Sequence, residues 1–251
     1  MDAVTSQREV VPPIVGPVVG VGAGVVVPYD FALDRELWRW VPEDVSLHLT
    51  RTAYSPLSVT VEQAQVIGDR EAVARCTEAI TAVEPAVVAY ACTSGSFVHG
   101  REGERALVSR MLGAGAAAAL TTSGALVEAL SALGITRLAV ATPYDAAVTA
   151  RLHDFLEETG VRVTGSVHLG LSGRIWTVPY AVTAALVRDA AAAGGEAVFV
   201  SCTNLPTYDV VAPLEAELGI PVLTANQVTM WACLRRLGRV AVGPGQALAA
   251  A

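Results

Sequence analysis

The stretch Val-Val-Val-Pro-Tyr-Asp at residues 25–30 returns as Val-Ala-Thr-Pro-Tyr-Asp at residues 140–145, so the two copies end 115 residues apart, at 30 and 145. A second pair has nearly the same spacing. Tyr-Ala-Cys-Thr-Ser at residues 90–94 returns as Val-Ser-Cys-Thr-Asn at residues 200–204. Each copy joins an apolar run to a polar turn, as at the end of a buried strand. The chain is therefore predicted to contain two related halves.

A third pair extends the repeat, because Leu-Thr-Thr-Ser-Gly at residues 120–124 and Leu-Thr-Ala-Asn-Gln at residues 223–227 each precede a helical run. Throughout the chain, Ala- and Leu-rich helical runs alternate with strand-like apolar runs, which include Val25–Val27, Val87–Ala91, Leu138–Ala141 and Ala197–Ser201. This alternation is typical of parallel sheets with crossover helices. The predicted fold is α/β, with two pseudosymmetric Rossmann-like half-domains, each a parallel sheet flanked by helices. The active site is expected in the cleft between them.

The repeat also predicts how the chain is divided. Residues 1–19, with three prolines and no clear periodicity, are expected to be an N-terminal extension. The first half-domain is predicted over residues 20–117 together with a returning segment, 221–251. The second is predicted over residues 118–220. A chain of 251 residues is long enough for each half to bury a core.

Composition and charge exclude several classes of protein. The net charge is −7, and the 17 basic residues form no cluster dense enough for nucleic acid. The most apolar N-terminal stretch, residues 10–27, is interrupted by prolines and glycines, which argues against a membrane span or a secretory signal. The four cysteines lie far apart without a CxxC pair, so neither a metal site nor a disulfide framework is predicted. A cytoplasmic location is expected.

The two Cys-Thr pairs occupy the place where parallel α/β sheets bind ligands, just beyond the carboxyl ends of strands. Cys92 and Cys202 are therefore predicted to face one cleft from opposite sides, an arrangement suited to stereochemical proton transfer. A helix N-terminus or a row of backbone amides near such a thiol is expected to lower its pKa. Cys76 and Cys233 lie inside helical runs and are interpreted as small buried hydrophobic residues.

The residues beside the thiols are candidates for binding a carboxylate. Thr93-Ser94-Gly95-Ser96, at a predicted helix start, offers hydroxyls and exposed amides as an anion cradle. Thr203 and Asn204 take the corresponding place in the second half. Tyr144 is expected to donate its phenolic proton to a carboxylate or to a developing enolate oxygen.

Two aspartates and one histidine complete the candidates. Asp30 and Asp145 follow the Pro-Tyr turns, and both are predicted foremost as helix N-caps. Asp30 is retained as a substrate-binding candidate. His99 lies near the cradle and merits a test, whereas the other histidines show no ligand spacing.

These motifs resemble the Asp/Glu racemase superfamily, and within it the branch of maleate cis-trans isomerases and arylmalonate decarboxylases. The resemblance spans roughly Gly20 to Ala249 and rests on the Pro-Tyr-Asp turn at 28–30, Ala-Cys-Thr-Ser-Gly-Ser-Phe at 91–97, Thr-Pro-Tyr at 142–144 and Ser-Cys-Thr-Asn-Leu-Pro-Thr-Tyr-Asp at 201–209. It implies an enzyme without a cofactor that acts on a small carboxylate. By analogy it also implies a homo-oligomer.

The maleate isomerase pattern implies a nucleophilic Cys92, a proton-handling Cys202, and a carboxylate bound by Tyr144 with Thr93 and Ser94. In the implied mechanism, the Cys92 thiolate adds to the double bond of a cis-enedioate. Rotation about the new single bond and elimination give the trans product. Conversion of maleate to fumarate is thus the leading expectation.

Three alternatives remain open. A racemase of amino acids or hydantoins uses two thiols as an acid and a base across one carbon. The arylmalonate decarboxylase pattern resembles Leu-Gly-Leu-Ser-Gly at residues 169–173, but it has glycine where Cys92 stands, so the presence of both thiols argues against that reaction. A non-catalytic carboxylate-binding protein is the third.

The sequence departs from the isomerase pattern at two asparagines. One is replaced around Asp30-Phe31, and one is missing near Ser172, so a contact to a second substrate carboxylate is not carried over. Trp176, with Ile175 and Tyr180, is interpreted either as a bulkier, more apolar lid than a small dicarboxylate needs or as interdomain packing.

Overall fold

The computed structural model describes residues 20–251, and the predicted N-terminal extension, 1–19, lies outside the described residues. Eight strands form two four-stranded sheets: β1 Val21–Val27, β2 Val45–Arg51, β3 Val87–Tyr90 and β4 Ala119–Thr121 in the first, and β5 Arg137–Thr142, β6 Arg162–His168, β7 Ala197–Val200 and β8 Val222–Thr224 in the second. The helices are α1 Asp34–Arg39, α2 Val61–Ile67, α3 Arg70–Thr81, α4 Thr93–Phe97, α5 Gly100–Gly113, α6 Thr122–Ala132, α7 Ala146–Glu158, α8 Tyr180–Ala191, α9 Tyr208–Leu218 and α10 Ala225–Arg236.

The two sheets have the same strand order, β2-β1-β3-β4 and β6-β5-β7-β8, and every strand pair is parallel. The central strands are short Val- and Ala-rich runs that are buried on both faces, because helices cover both sides of a parallel sheet. The predicted α/β fold of two related halves is confirmed.

The strand pairing does not follow the predicted boundaries at 118 and 221. Leu120 of β4 pairs with Ala89 in the first sheet, and Leu223 of β8 pairs with Phe199 in the second. The prediction placed each of these strands in the other half. The predicted boundaries fail because the crossing between the halves occurs in the helices and not in the strands. α6 and α10, which follow β4 and β8 directly, pack against each other, and α10 also contacts β3 and α1. The halves are thus joined by helices, and each fourth strand stays with its own sheet.

A continuous core joins the two sheets. Its largest buried cluster contains Val25 and Ala89 from the first sheet together with Val140 and Val198 from the second. The strand ends of both halves are consequently held in a fixed relation. Within residues 20–251, none of the helices combines the length and the apolar character needed to cross a bilayer.

Glu36 of α1 is a buried carboxylate that ties the first half to the second. Its Oε2 accepts a hydrogen bond from the Thr207 amide at 2.9 Å, and its Oε1 accepts from the Thr207 hydroxyl at 2.8 Å. The same Oε1 accepts from Asn226 Nδ2 at 3.0 Å, and Asn226 Nδ2 also donates to the carbonyl of Thr203 at 2.9 Å. The loop that follows Cys202 is therefore anchored to α1.

Substituting Glu36→Ala is expected to lower the free energy of unfolding by about 2–4 kcal/mol, because three buried donors lose their acceptor. Urea unfolding followed by circular dichroism measures the change. The control is Glu71→Ala, since Glu71 pairs with Arg110 at the surface and its loss should leave the unfolding midpoint nearly unchanged. Equal midpoints for the two variants would contradict the anchoring role.

Candidate active site

The two predicted catalytic cysteines line one cavity together with the six residues predicted to bind the substrate, namely Asp30, Thr93, Ser94, Tyr144, Thr203 and Asn204. Its lining comprises Pro28, Asp30, Val59, Gln63, Ile67, Cys92, Thr93, Ser94, Tyr144, Ile175, Cys202, Thr203 and Asn204. The cavity has a volume of about 30 Å³, space for on the order of two water molecules. Both thiols therefore face one small cavity at the carboxyl ends of β3 and β7.

Cys92 is the N-cap residue of α4, which begins at Thr93 as predicted. The thiol is buried, and its Sγ lies 3.9 Å from Ser94 Oγ. Gly95 is required here, because a Cβ at this position would collide with the hydroxyl of Tyr90 and lie 3.3 Å from Cys92 Sγ. The small residues after Cys92 thus let the first turn of α4 lie directly against the sulfur.

Cys202 is held differently from its counterpart. Its φ is +86°, a backbone conformation that residues other than glycine rarely adopt. No helix follows directly, because the chain makes a turn in which the Leu205 amide donates to the carbonyl of Cys202 at 3.2 Å, and α9 begins only at Tyr208. Strained backbone of this kind is typical of functional positions.

Backbone amides lower the pKa of both thiols, as predicted, but burial outweighs them and the net shift is upward. Burial raises the pKa of the Cys92 thiol above its ordinary value, and polar contacts with Tyr90, the Gly95 amide and Ser94 oppose that rise without overcoming it. Desolvation dominates because the sulfur is enclosed and no cation adjoins it.

The second thiol is a weak acid. Burial raises the pKa of Cys202 to about 12, against the opposing hydrogen bonds from the Asn204 amide and the Tyr144 hydroxyl, and Asp30 and Cys92 raise it further. At neutral pH Cys202 is therefore a protonated thiol, which is suited to giving a proton.

The anion cradle retains a hydroxyl free for a ligand. Thr93 Oγ1 is buried and has no hydrogen-bond partner among the described residues, an arrangement that is costly unless a ligand fills it. Ser94 also lines the cavity. Ser96, in contrast, turns away from it: its hydroxyl donates to the carbonyl of Thr93 at 2.8 Å and lies 2.6 Å from Ser123 Oγ.

Thr203 and Asn204 line the cavity, but their side chains hold the two halves together. The Thr203 hydroxyl donates to the carbonyl of Ala91 at 3.2 Å. Asn204 Nδ2 donates to the carbonyl of Asp30 at 3.0 Å, and its Oδ1 accepts from the Ala32 amide at 2.9 Å. Contact of these two side chains with a substrate stays a prediction.

Tyr144 is a buried phenol in the cavity wall. Its Oη receives a long hydrogen bond from Ser201 Oγ, at 3.5 Å, and its own proton can point to Cys202 or to a ligand in the cavity. Burial and the neighbouring thiols raise the pKa of Tyr144 well above its ordinary value. The phenol therefore stays protonated and serves as a donor.

The two aspartates of the Pro-Tyr-Asp turns have separate roles. Asp145 caps α7 as predicted, since its carboxylate accepts from the Val148 amide at 2.8 Å. For Asp30 the N-cap prediction is wrong, because α1 begins at Asp34 with Leu33 as its N-cap. Asp30 instead lines the cavity, where burial raises its pKa while Arg51 and Asn204 oppose the rise.

Several lining residues carry no motif and were missed. Gln63 and Ile67 belong to α2, and Val59 precedes that helix. The Val59 amide donates to the carbonyl of Ser172 at 2.9 Å, which closes the cavity between the two halves. In the sequence, only the alternation of apolar and polar residues just before α2, at residues 57–60, indicated that this segment has a buried face. Their position over the thiols depends on the tertiary fold.

Tyr90 was also missed, although it lies two residues before Cys92 on the same side of β3. It is fully buried, and its hydroxyl donates to the carbonyl of Ile67 at 2.7 Å. This bond fixes the end of α2 beneath Cys92. The spacing of two along a strand, which places side chains on one face, is the signal that would have found it.

The remaining candidates lie elsewhere. His99 is outside this cavity, on a separate surface hollow beside the start of α5. Of the residues around Trp176, it is Ile175 that lines the cavity, while Trp176 is half-buried in the 3₁₀ turn Ile175–Thr177. Within residues 20–251, no group of three or more His, Cys, Asp or Glu side chains is placed to hold a metal ion.

Substituting Asp30→Asn is expected to move the pH dependence of Cys92 alkylation to lower pH. The negative charge of Asp30 raises the pKa of Cys92, so a neutral side chain makes the thiolate easier to form. Labelling with iodoacetamide over a pH series, read by mass spectrometry of the Cys92 peptide, measures the shift. Asp145→Asn is the matched control, because asparagine caps a helix as well as aspartate. An unchanged curve for Asp30→Asn would refute the coupling.

Comparison with known proteins identifies the family. A model of the arylmalonate decarboxylase family matches residues 58–248. An arylmalonate decarboxylase from Bordetella bronchiseptica is 34% identical over 158 residues, covering 61% of this chain and 65% of that protein. A maleate isomerase from Nocardia farcinica is 30% identical over 239 residues, covering 88% of this chain and 92% of that protein.

A solved structure adds chemical detail. It is that of a cysteine-to-serine variant of Nocardia farcinica maleate cis-trans isomerase with a covalently bound succinylcysteine intermediate. It is similar to this chain with a TM-score of 0.81 at 26% sequence identity, covering 91% of this chain and 98% of that one. The relatives and this structure identify the chain as an enzyme, a cysteine-dependent isomerase. The chain belongs to the arylmalonate decarboxylase family, in the branch of the Asp/Glu racemase superfamily that it shares with the maleate isomerases.

Proposed function

We propose that this enzyme isomerises a small cis-enedioate of the maleate type to the trans form, with Cys92 as nucleophile and Cys202 as proton donor and acceptor. The observation that carries the proposal is the enclosure of both thiols in one cavity beside a cradle whose Thr93 hydroxyl is unpaired. A bound carboxylate supplies the missing partner. A substrate bound in this cavity contacts the wall that both sulfurs share.

The first step is addition. The Cys92 thiolate forms a C–S bond to one alkene carbon, and the electron pair of the double bond moves toward the other carbon and its carboxylate. The Thr93 and Ser94 donors and the Tyr144 phenol stabilise the charge that develops on that carboxylate. Cys202, held protonated by its high pKa, gives its proton to the carbanion.

The second step is rotation and elimination. The former double bond is now single and turns within the cavity. The Cys202 thiolate then takes back a proton from carbon, the C–S bond breaks, and Cys92 leaves as the thiolate. Every bond made in the first step is broken in the second, so no oxidant or cofactor is consumed.

The difference between the thiols supports this assignment of roles. Cys92 lies at the start of α4, where donors oppose the effect of burial on its pKa. Cys202 lacks a helix of its own and has a pKa of about 12. Hydrogen-bond donors around a sulfur favour its thiolate, the nucleophilic form, whereas a thiol that stays protonated is suited to giving a proton.

The experiment is NMR of candidate substrates incubated with the enzyme in D2O. Conversion of maleate to fumarate supports the proposal. Deuterium incorporation into aspartate, glutamate or a hydantoin without isomerisation of maleate would replace it with racemisation. Ligand binding without any turnover, unchanged when either cysteine is substituted, would point to a binding protein.

Decarboxylation of an arylmalonate is the second candidate, because the family model and the Bordetella relative carry that name. Release of CO2 from phenylmalonate, with Cys202 needed and Cys92 dispensable, would favour it.

A further inference from the structure

The cavity lining contains one acidic side chain and no basic one. Asp30 is its single charged residue, whereas its other polar members are thiols, hydroxyls and amides. The guanidinium of Arg51 acts on Asp30 electrostatically, but it donates to the carbonyl of Phe31 at 2.6 Å and does not line the cavity. A substrate with two carboxylates would therefore bring two negative charges into a confined space that already holds a third.

The donors of the lining suffice for one carboxylate. Thr93, Ser94 and Tyr144 have hydroxyls available to a ligand, and the first amides of α4 add to them. The donors of Thr203 and Asn204 are used within the protein. Among the described residues, the lining offers no positively charged donor to a second anionic group.

Gln63 and Asp30 add acceptors to the lining. The Tyr29 hydroxyl donates to the carbonyl of Leu57 at 3.4 Å, so it accepts from Gln63 Nε2 at 3.1 Å. In this orientation Gln63 Oε1 has no hydrogen-bond partner among the described residues. The residue is only 3% exposed. The Asp30 carboxyl is a second acceptor facing the same space.

We propose that the preferred substrate is the half-amide of a cis-enedioate, with its carboxylate in the cradle and its carbamoyl group toward Asp30 and Gln63. This inference rests on the proposed function and names the substrate class of that site. A carbamoyl group donates two N–H bonds, which suit two acceptors.

The chemistry balances as it does for the diacid. Cys92 sulfur adds to the carbon that bears the carbamoyl group, and the electron pair moves toward the carboxylate in the cradle. Cys202 protonates the adjacent carbon, and after rotation the same proton and the C–S bond are lost. The C–N bond is untouched, so the product is the trans half-amide.

The test compares maleamate with maleate, each followed by NMR with the intact enzyme. We expect kcat/KM to be at least ~10-fold higher for maleamate, a difference of about 1.4 kcal/mol. Asp30→Asn should shift the ratio of the two kcat/KM values toward maleate by ~10-fold or more. Changes in thiol ionisation act on both substrates alike and cancel in that ratio. Asp145→Asn, whose carboxylate lies in the matching turn of the repeat, should leave the ratio unchanged.

The outcomes separate the two proposals. If maleate is isomerised as fast as maleamate or faster, or if Asp30→Asn leaves the ratio unchanged, the half-amide inference is overturned while cis-trans isomerisation stands. If neither compound is isomerised, the proposed function fails and the inference fails with it. A preference for maleamate that Asp30→Asn reverses supports both.

Discussion

Substituting Cys92→Ser is expected to reduce isomerisation by on the order of 10³-fold or more, because a serine hydroxyl does not ionise at neutral pH and cannot add to the alkene. NMR of maleate and maleamate with the purified variant measures the loss. The loss should lie in kcat and not in binding, since the Thr93 hydroxyl and the α4 amides are kept. Titration calorimetry with fumarate tests that retention.

The control for Cys92→Ser is a cysteine outside the cavity. Cys76 lies on α3, half-buried, with its Sγ 3.4 Å from the carbonyl of Arg51. Cys76→Ser should therefore keep wild-type turnover. Full activity in Cys92→Ser would remove the nucleophile from the mechanism.

Substituting Cys202→Ser is expected to stop turnover but not the first chemical step. In this variant the Cys92 thiolate still adds and the carbanion takes its proton from water, whereas release of the adduct needs a base to remove that proton from carbon. A serine hydroxyl is a poor base, and general acid–base groups contribute roughly 10²–10⁴-fold to rates. The variant should accumulate a covalent adduct whose added mass equals one molecule of the acid.

Intact-mass spectrometry followed by peptide mapping locates that adduct. The assignment of roles requires the adduct on Cys92 in the Cys202→Ser variant and its absence from the Cys92→Ser variant. An adduct on Cys202 in the latter would reverse the roles of the two thiols. Normal turnover in Cys202→Ser would show that another group or water handles the proton.

Much of this architecture could be predicted from the repeat. The recurrence of Pro-Tyr-Asp and of Cys-Thr at similar offsets predicted two related sheets, and strand-end positions placed Cys92 and Cys202 together because parallel strands bring their carboxyl ends to one edge. The helix starts after β4 and β8 also followed from local chemistry, since Thr121 and Thr224 each cap a helix with their hydroxyl.

What could not be predicted depends on tertiary contacts. The role of Asp30 changed because α1 starts four residues later than the turn, which leaves the carboxyl to face the cavity. The direction of the thiol pKa shifts followed from burial, which local sequence does not reveal. Gln63 and Ile67 reach the site only because α2 packs over Cys92, and the sheet boundaries failed because hydrophobic pattern does not show which strands pair.

The backbone of Cys202 has a consequence for engineering. A φ of +86° suits glycine far better than a residue with a side chain. Replacing Cys202 by glycine would therefore relieve backbone strain and stabilise the fold. Laboratory evolution that selects for thermostability alone would favour Cys202→Gly and yield a more stable but inactive protein. Screens for robust variants should therefore retain a selection for turnover.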